Sequence, residues 1–216
     1  LLAFGFTIVS ISALAGWPPN HLSRKVAADE TPATRSASTT VPFRNTGDLP
    51  IISARCFGET LTFLVDTTRK TTTLDARHQH HFAAPLASRR DSTSTSRFGR
   101  HHLRPSLPIA IGTTTVDCDV IEIADLSTTS EGIGQRLDGC LGLDILSKFI
   151  VQLDFDHGCL VLQSTMPDDA GDLVMLDFNR LGQPVLPVAL GGNRPTDFVI
   201  ATSVRTGVLL CPESFI

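Results

Sequence analysis

The chain has 216 residues, 42% of them apolar and 19% charged, and a formal net charge of −4, a composition that describes a globular protein of one large domain or two small ones and excludes disorder throughout. With 18 basic against 22 acidic side chains it lacks the positive footprint needed to grip a phosphate backbone, so nucleic acid is not an expected partner. The absence of Tyr excludes any mechanism that runs through a phenol.

Residues 1–16 (LLAFGFTIVSISALAG) form a charge-free apolar run, shorter than the roughly 20 residues of a membrane span and ending in the small-x-small triplet Ala13-Leu14-Ala15. This is the pattern of an export signal leading to the periplasm or the extracellular space, with an uncleaved N-terminal membrane anchor as the alternative. The run has no initiator Met and no basic flank, so the sequence is expected to begin inside the signal. Residues 17–48 are rich in Pro, Ser, Thr and Ala with no apolar period, the composition of a flexible linker, and the folded part is expected to start near Leu49.

From there the chain alternates short apolar runs (IISARCF, LTFLVDTT, LPIAIG, TVDCDVIEIADL, KFIVQLDF, CLVLQS, PVLPVAL, TDFVIATS) with Gly, Pro and Asp, which predicts a mainly β fold. Only residues 143–149 (LDILSKF) show helical spacing, enough for one short helix. Between residues 76 and 104 a polar stretch carries His78, His80, His81, His101 and His102. The run RHQHH has no fixed helical face and no adjacent acid, so these are expected to be solvated surface histidines in a mobile loop, with no metal and no cofactor. Export would allow Cys56, Cys118, Cys140, Cys159 and Cys211 to pair, but their number is odd and no CxxC spacing occurs. Small core residues are the favoured reading, and no disulfide is assigned.

Residues 63–74 (FLVDTTRKTTTL) align without gaps on residues 198–209 (FVIATSVRTGVL), with Phe63/Phe198, Thr67/Thr202, Thr71/Thr206 and Leu74/Leu209 identical. Upstream, Leu49-Pro50-Ile51 before Gly58 parallels Leu186-Pro187-Val188 before Gly191-Gly192, with a two-residue difference that a hairpin loop absorbs. Each copy reads as hairpin, strand and polar turn, which points to an internal duplication.

Taken alone, an acid followed by hydroxyl residues after a strand is a turn cap. The later segment Leu137-Asp138-Gly139-Cys140-Leu141-Gly142-Leu143-Asp144-Ile145-Leu146, running on to Asp154-Phe155 and a Gly158 turn, resembles the closing part of the retropepsin-like aspartic peptidases. The resemblance spans residues 49–164 and, in part, 183–209. It implies a closed acid-protease-like barrel lobe at 49–164, then the start of a second similar lobe, truncated, at 165–216. It also implies that Asp66 is the catalytic acid in the active-site loop with Thr67 and Thr68, that Leu141 and Gly142 brace that loop, and that Ala201, Thr202 and Ser203 are its second-loop counterparts. In such enzymes two facing carboxylates share a proton around a water molecule, one acting as base and the other as acid, while the Thr beside each acid hydrogen-bonds across to the opposite loop. Thr68 stands where the family has Gly, and Ala201 where it has the second acid.

Two readings that use the cleft stay open. One is an aspartic endopeptidase that hydrolyses peptide bonds in extended substrates, with residues 98–119 as flap and neighbouring strand and Gly112 at its turn. Its two loops would come either from lobes paired within the chain or from a homodimer of the first lobe. The other is a catalytically inactive domain, a pseudoenzyme, that binds peptides or a protein partner through the same cleft. An exported β domain with no cleft function is the third and plainest possibility.

Overall fold

The computed structural model describes residues 7–9, 38–46, 49–82, 100–166, 174, 176–189, 192 and 194–205. In chain order they form β1 (Thr7–Val9), β2 (Thr39–Pro42), β3 (Arg44–Thr46), β4 (Leu49–Cys56), β5 (Glu59–Val65), β6 (Thr73–Asp75), a 3₁₀ helix (Ala76–Phe82), β7 (Arg100–Ile111), β8 (Thr114–Ala124) and α1 (Ser127–Ile133). There follow β9 (Gly139–Leu141), α2 (Leu143–Leu146), β10 (Ile150–Asp154), β11 (Cys159–Gln163), β12 (Asp177–Phe178), β13 (Pro184–Val188) and β14 (Thr196–Val199).

Strands β4-β5-β9-β6-β8-β7 form a sheet that closes into a six-stranded barrel where Arg55 of β4 pairs with Ala110 of β7. Four of the six neighbouring pairs are antiparallel, two of them hairpins, while β5 runs parallel to β9 and β6 parallel to β8. The sequence of β5 explains its central place. Phe63 and Val65 point into the barrel core with Ile52, Ile109 and Ile121, while Leu64 points to the opposite face and packs with Leu126, Ile133 and Leu137 beneath α1. A strand buried on both faces needs an uninterrupted apolar run, and Phe63-Leu64-Val65 supplies it. Helix α2 covers one end of the barrel with Leu143, Ile145 and Leu146 buried. The mainly β lobe stands as the apolar patterning predicts, but α1 (Ser127–Ile133) is a helix that the spacing does not predict, and the helix expected over residues 143–149 spans Leu143–Leu146.

Several expectations change. The stretch taken as a linker includes two strands: β2 pairs with β11, and β3 extends the barrel sheet at β4. Within β2, Thr39 and Val41 are buried while Thr40 and Pro42 are exposed, an alternation too short to register against the surrounding polar composition. Strand β1, inside the stretch read as an export signal, pairs with β10; most of that stretch and the rest of the linker lie outside the described residues.

The hairpin proposed as a flap exists, with Gly112 at φ +58°, but its turn is docked on the body of the lobe. Thr39 Oγ1 lies 2.5 Å from Thr113 Oγ1 and 2.9 Å from Thr114 Oγ1, and a Cβ on Gly112 would stand 2.7 Å from the Thr39 methyl. The acid-loop side of β8 is its other end, where Glu122 pairs with Thr73. A turn held at the far end of the strand cannot cover that loop, and residues 83–99, before β7, lie outside the described residues.

Cys56, Cys118 and Cys140 are buried free thiols and Cys159 is a half-buried one, in keeping with core residues; Cys211 lies outside the described residues. Burial pushes the Cys56 thiol up to about 11, with the Phe57 backbone N–H opposing weakly. Burial and the nearby Asp144 carboxylate push Cys118 up to about 12. Among the described residues no helix is long and apolar enough to cross a membrane.

Candidate active site

Strand β5 ends by delivering Asp66 to a buried position, 4% exposed, where its N–H donates to the Leu141 carbonyl at 3.0 Å. Parallel pairing of β5 with β9 brings Leu141 there, since Val65 lies opposite Leu141 in the ladder. The residue after Leu141 must be Gly. A Cβ on Gly142 would fall 2.7 Å from the Thr71 carbonyl carbon and 2.9 Å from the Thr72 nitrogen, both backbone atoms. That close approach lets the Gly142 N–H donate to Thr72 Oγ1 at 3.1 Å, while Asp144 Oδ1 accepts from the Thr72 N–H at 2.9 Å and its hydroxyl at 2.7 Å. Gly142→Ala is therefore expected to destabilise the fold by about 3 kcal/mol, because the clash is with main chain that cannot rotate away; urea unfolding at unchanged m-value measures it. Leu141 and Gly142 thus contact the chain on either side of the acid loop, at Asp66 and at Thr72. Thr72 and Asp144, which complete it, stand as a turn residue and a helix-start residue in the sequence and carry no signal of this contact.

The second loop lies directly across from the first. Thr67 Oγ1 donates to the Ile200 carbonyl at 2.6 Å and accepts from the Thr202 N–H at 3.2 Å. Thr202 Oγ1 reciprocates, donating to the Val65 carbonyl at 2.7 Å and accepting from the Thr67 N–H at 3.1 Å. Each hydroxyl thus serves the carbonyl two residues before the opposite Thr and the N–H of that Thr, which is a pseudo-twofold relation within one chain. Gln183 Nε2 adds a bond to the Thr68 carbonyl at 3.3 Å, and the Arg205 guanidinium donates to the Ile133 carbonyl. Ala201 and Ser203, the neighbours of Thr202, are half-buried. Thr206 and Leu209, the remaining identities, lie outside the described residues.

The sheet registers extend this correspondence and correct its upstream half. Ile51 pairs with Leu64 and Arg44; Val185 pairs with Val199 and Asp177. Pro50 pairs with Asn45, and Pro184 with Phe178. Pro50 therefore corresponds to Pro184 and not to Pro187, and β3-β4-β5 corresponds to β12-β13-β14. Pro-Val occurs twice in QPVLPV, and only hydrogen-bond pairing distinguishes the two prolines.

The carboxylate of Asp66 is heavily occupied. Oδ1 accepts the Thr68 N–H at 2.9 Å and the Thr68 hydroxyl at 2.6 Å, and Oδ2 accepts from Arg69 Nε at 3.2 Å. The Gly-to-Thr departure does not strain the loop, since Phe57 is the one non-glycine residue with positive φ among the described residues. The backbone N–H still reaches the acid, and the hydroxyl adds a second bond. An ionised carboxylate offers about four lone-pair positions, so Oδ1 is saturated and one position remains on Oδ2. Arg69 was not singled out from the sequence; a basic residue three positions after an acid in a turn is too common to signal an ion pair.

Asp138, from the motif before β9, ties β5 to the 3₁₀ helix. Its Oδ2 accepts the Thr62 N–H at 2.8 Å, and its Oδ1 accepts from Arg77 at 2.8 Å and lies 3.0 Å from His78 Nε2. Burial pushes this carboxyl up, but the hydrogen bonds from Arg77, Thr62 and His78 and the Arg77 charge outweigh it and hold it below the ordinary Asp range.

No protein-family model matches the chain, and no curated protein matches it by sequence. Among solved structures it is similar to a retropepsin-like aspartic protease from Rickettsia conorii, with 17% identity, TM-score 0.44, and coverage of 62% of this chain and 97% of that one. It is also similar to the retroviral protease-like domain of Ddi1 from Leishmania major, with 13% identity, TM-score 0.36, and coverage of 55% and 94%. In this chain a hairpin, the Asp66-bearing strand, the parallel strand ending in Leu141-Gly142, a short helix and a closing hairpin follow one another over residues 49–163.

Proposed function

We propose that this is an acid-protease-fold domain whose cleft binds extended peptide or protein segments without hydrolysing them. The observation that carries this reading is the reciprocal Thr67–Thr202 clamp, in which Ala201 stands before Thr202 as Asp66 stands before Thr67. Hydrolysis by an activated water requires one group to take a proton and a second to give one. Ala201, which precedes Thr202 as Asp66 precedes Thr67, carries no acid, and Thr68 and Arg69 already hold the oxygens of Asp66. A homodimer built on the first lobe would have to displace Ile200 and Thr202 from Thr67, where they sit in this chain.

The endopeptidase reading has one observation in its favour: Asp66 itself is retained, buried in a loop whose bracing contacts are complete. One comparison separates the two. The full chain is titrated with an extended peptide and with a hydroxyl-bearing transition-state mimic of the same sequence, and incubated with a peptide library from acidic to neutral pH. A non-catalytic cleft binds both ligands within about tenfold and leaves the library intact, whereas an enzyme binds the mimic at least about 100-fold more tightly. Acid-optimum cleavage that disappears in Asp66→Asn would overturn the binding-domain reading. Binding of neither ligand would remove both readings and leave a β domain without a working cleft. Export to the periplasm or beyond belongs to the same proposal and rests on residues 1–16 alone.

A further inference from the structure

The 3₁₀ helix at Ala76–Phe82 places three imidazoles beside the β4–β5 turn, on the flank of the lobe away from the Thr67–Thr202 clamp. His78 is 7% exposed, and its Nε2 faces Asp138 Oδ1 at 3.0 Å. Since that carboxylate also accepts from Arg77 and the Thr62 N–H, it acts as an acceptor here, which puts the ring proton on Nε2 and leaves a lone pair on Nδ1. Among the described residues, His78 Nδ1 is buried with no hydrogen-bond partner, and the same holds for His81 Nε2. The His81 ring is stacked on Phe57 with centroids 4.4 Å apart, which fixes its plane. The carboxylate of Glu59 stands 3.9 Å from His81 Nε2, and one donor atom from each of Glu59, His78 and His81 lies within 4.8 Å of the others.

We propose that Glu59, His78 and His81 form a binding site for one divalent transition-metal ion of the zinc class. Buried imidazole nitrogens without partners are costly, and a cation shared between them satisfies both at once. Two nitrogen donors and one carboxylate favour zinc and its neighbours over magnesium or calcium, which require oxygen sets. Donors around zinc lie roughly 3.4 Å apart, given metal–ligand distances of about 2.0–2.2 Å and tetrahedral angles. The cluster needs only a modest closure to reach this, and Glu59, with an exposed side chain, is free to supply it. Asp138 holds the distal nitrogen of His78 as an outer carboxylate, the arrangement that fixes the tautomer of metal-bound histidines. Of the polar stretch 76–104 expected to be a mobile loop of solvated histidines, residues 76–82 are a 3₁₀ helix in which His78 is buried, and the neighbouring acids Glu59 and Asp138 are distant in sequence; residues 83–99 lie outside the described residues.

The test uses the full chain, freed of metal by chelation and titrated with Zn²⁺ against a chromophoric chelator, then with Co²⁺ followed by visible absorbance. One equivalent of Zn²⁺ should bind with a rise in Tm, and Co²⁺ should give the intense band of a four-coordinate site. Glu59→Gln and His81→Gln should each weaken Zn²⁺ binding at least about tenfold, while His157→Gln, at an exposed histidine elsewhere, should leave it unchanged. Glu59 is exposed, so E59Q keeps the fold, and the metal-free Tm of each variant verifies this. Failure to bind one equivalent, or full binding retained in both E59Q and H81Q, overturns the site. Neither result bears on peptide binding at the Asp66 cleft.

Discussion

Ala201→Asp combined with Thr68→Gly is expected to raise peptide hydrolysis by about a thousandfold or more over the parent chain, with an acidic optimum. The size follows from what a missing catalytic partner ordinarily costs, several powers of ten in rate. The position follows from the clamp: each Thr immediately follows the residue in question, and the four reciprocal bonds between Thr67 and Thr202 place residues 66 and 201 in equivalent positions across the loop pair. Two carboxylates there would share one proton, which supplies the acid and the base together. Thr68→Gly removes the hydroxyl that holds Oδ1 at 2.6 Å and so frees that oxygen for water. A third change, Asp66→Asn, should abolish the acquired activity. A double variant that keeps its far-UV spectrum and Tm yet cleaves nothing would mean that positions 66 and 201 do not face a common substrate.

Thr67→Val is expected to destabilise the chain by roughly 2–5 kcal/mol and to loosen residues 196–205 first. The substitution is nearly isosteric, so packing is preserved and the loss is polar: the Ile200 carbonyl and the Thr202 N–H are left without partners in a buried site, each at about 1–3 kcal/mol. Thr202→Val should cost as much, by stranding the Val65 carbonyl and the Thr67 N–H. Thr→Ser at either position keeps the hydroxyl and should recover most of the stability. The two Val changes should be strongly non-additive, because the two hydroxyls form one network. Denaturant unfolding measures the totals, and hydrogen exchange at the 196–205 amides reports whether that segment opens before the barrel. Equal exchange across both units in the variant would mean that the clamp does not hold the second unit in place.

Local features of the chain carried much of the lobe. An apolar run such as Phe63-Leu64-Val65, punctuated by turn residues on both sides, specifies a strand buried on both faces wherever it sits, and LDILSKF specifies one short helix by its spacing. The match of Phe63-x-x-x-Thr67 to Phe198-x-x-x-Thr202 was legible for the same reason, as it lies within contiguous residues. The correspondence of Pro50 was misplaced by a few residues because two Pro-Val pairs follow one another, and strand register is set by hydrogen bonding across the sheet. The hairpin at Gly112 was legible as a turn, but nothing local to it shows that Thr39 holds it against the body of the lobe.

By itself the sequence determined the β character of the chain, the turns, the acid at position 66 and its absence at 201, since these are properties of single residues and of short periods. Only the tertiary structure decided that Arg69 and Thr68 occupy that acid, that Thr67 and Thr202 bond reciprocally, and that Glu59 and Asp138 flank His78 and His81. Side chains far apart along the chain meet only after strands pair and the barrel closes, and the strength of a carboxylate or an imidazole as acid, base or ligand is set by the groups it then faces.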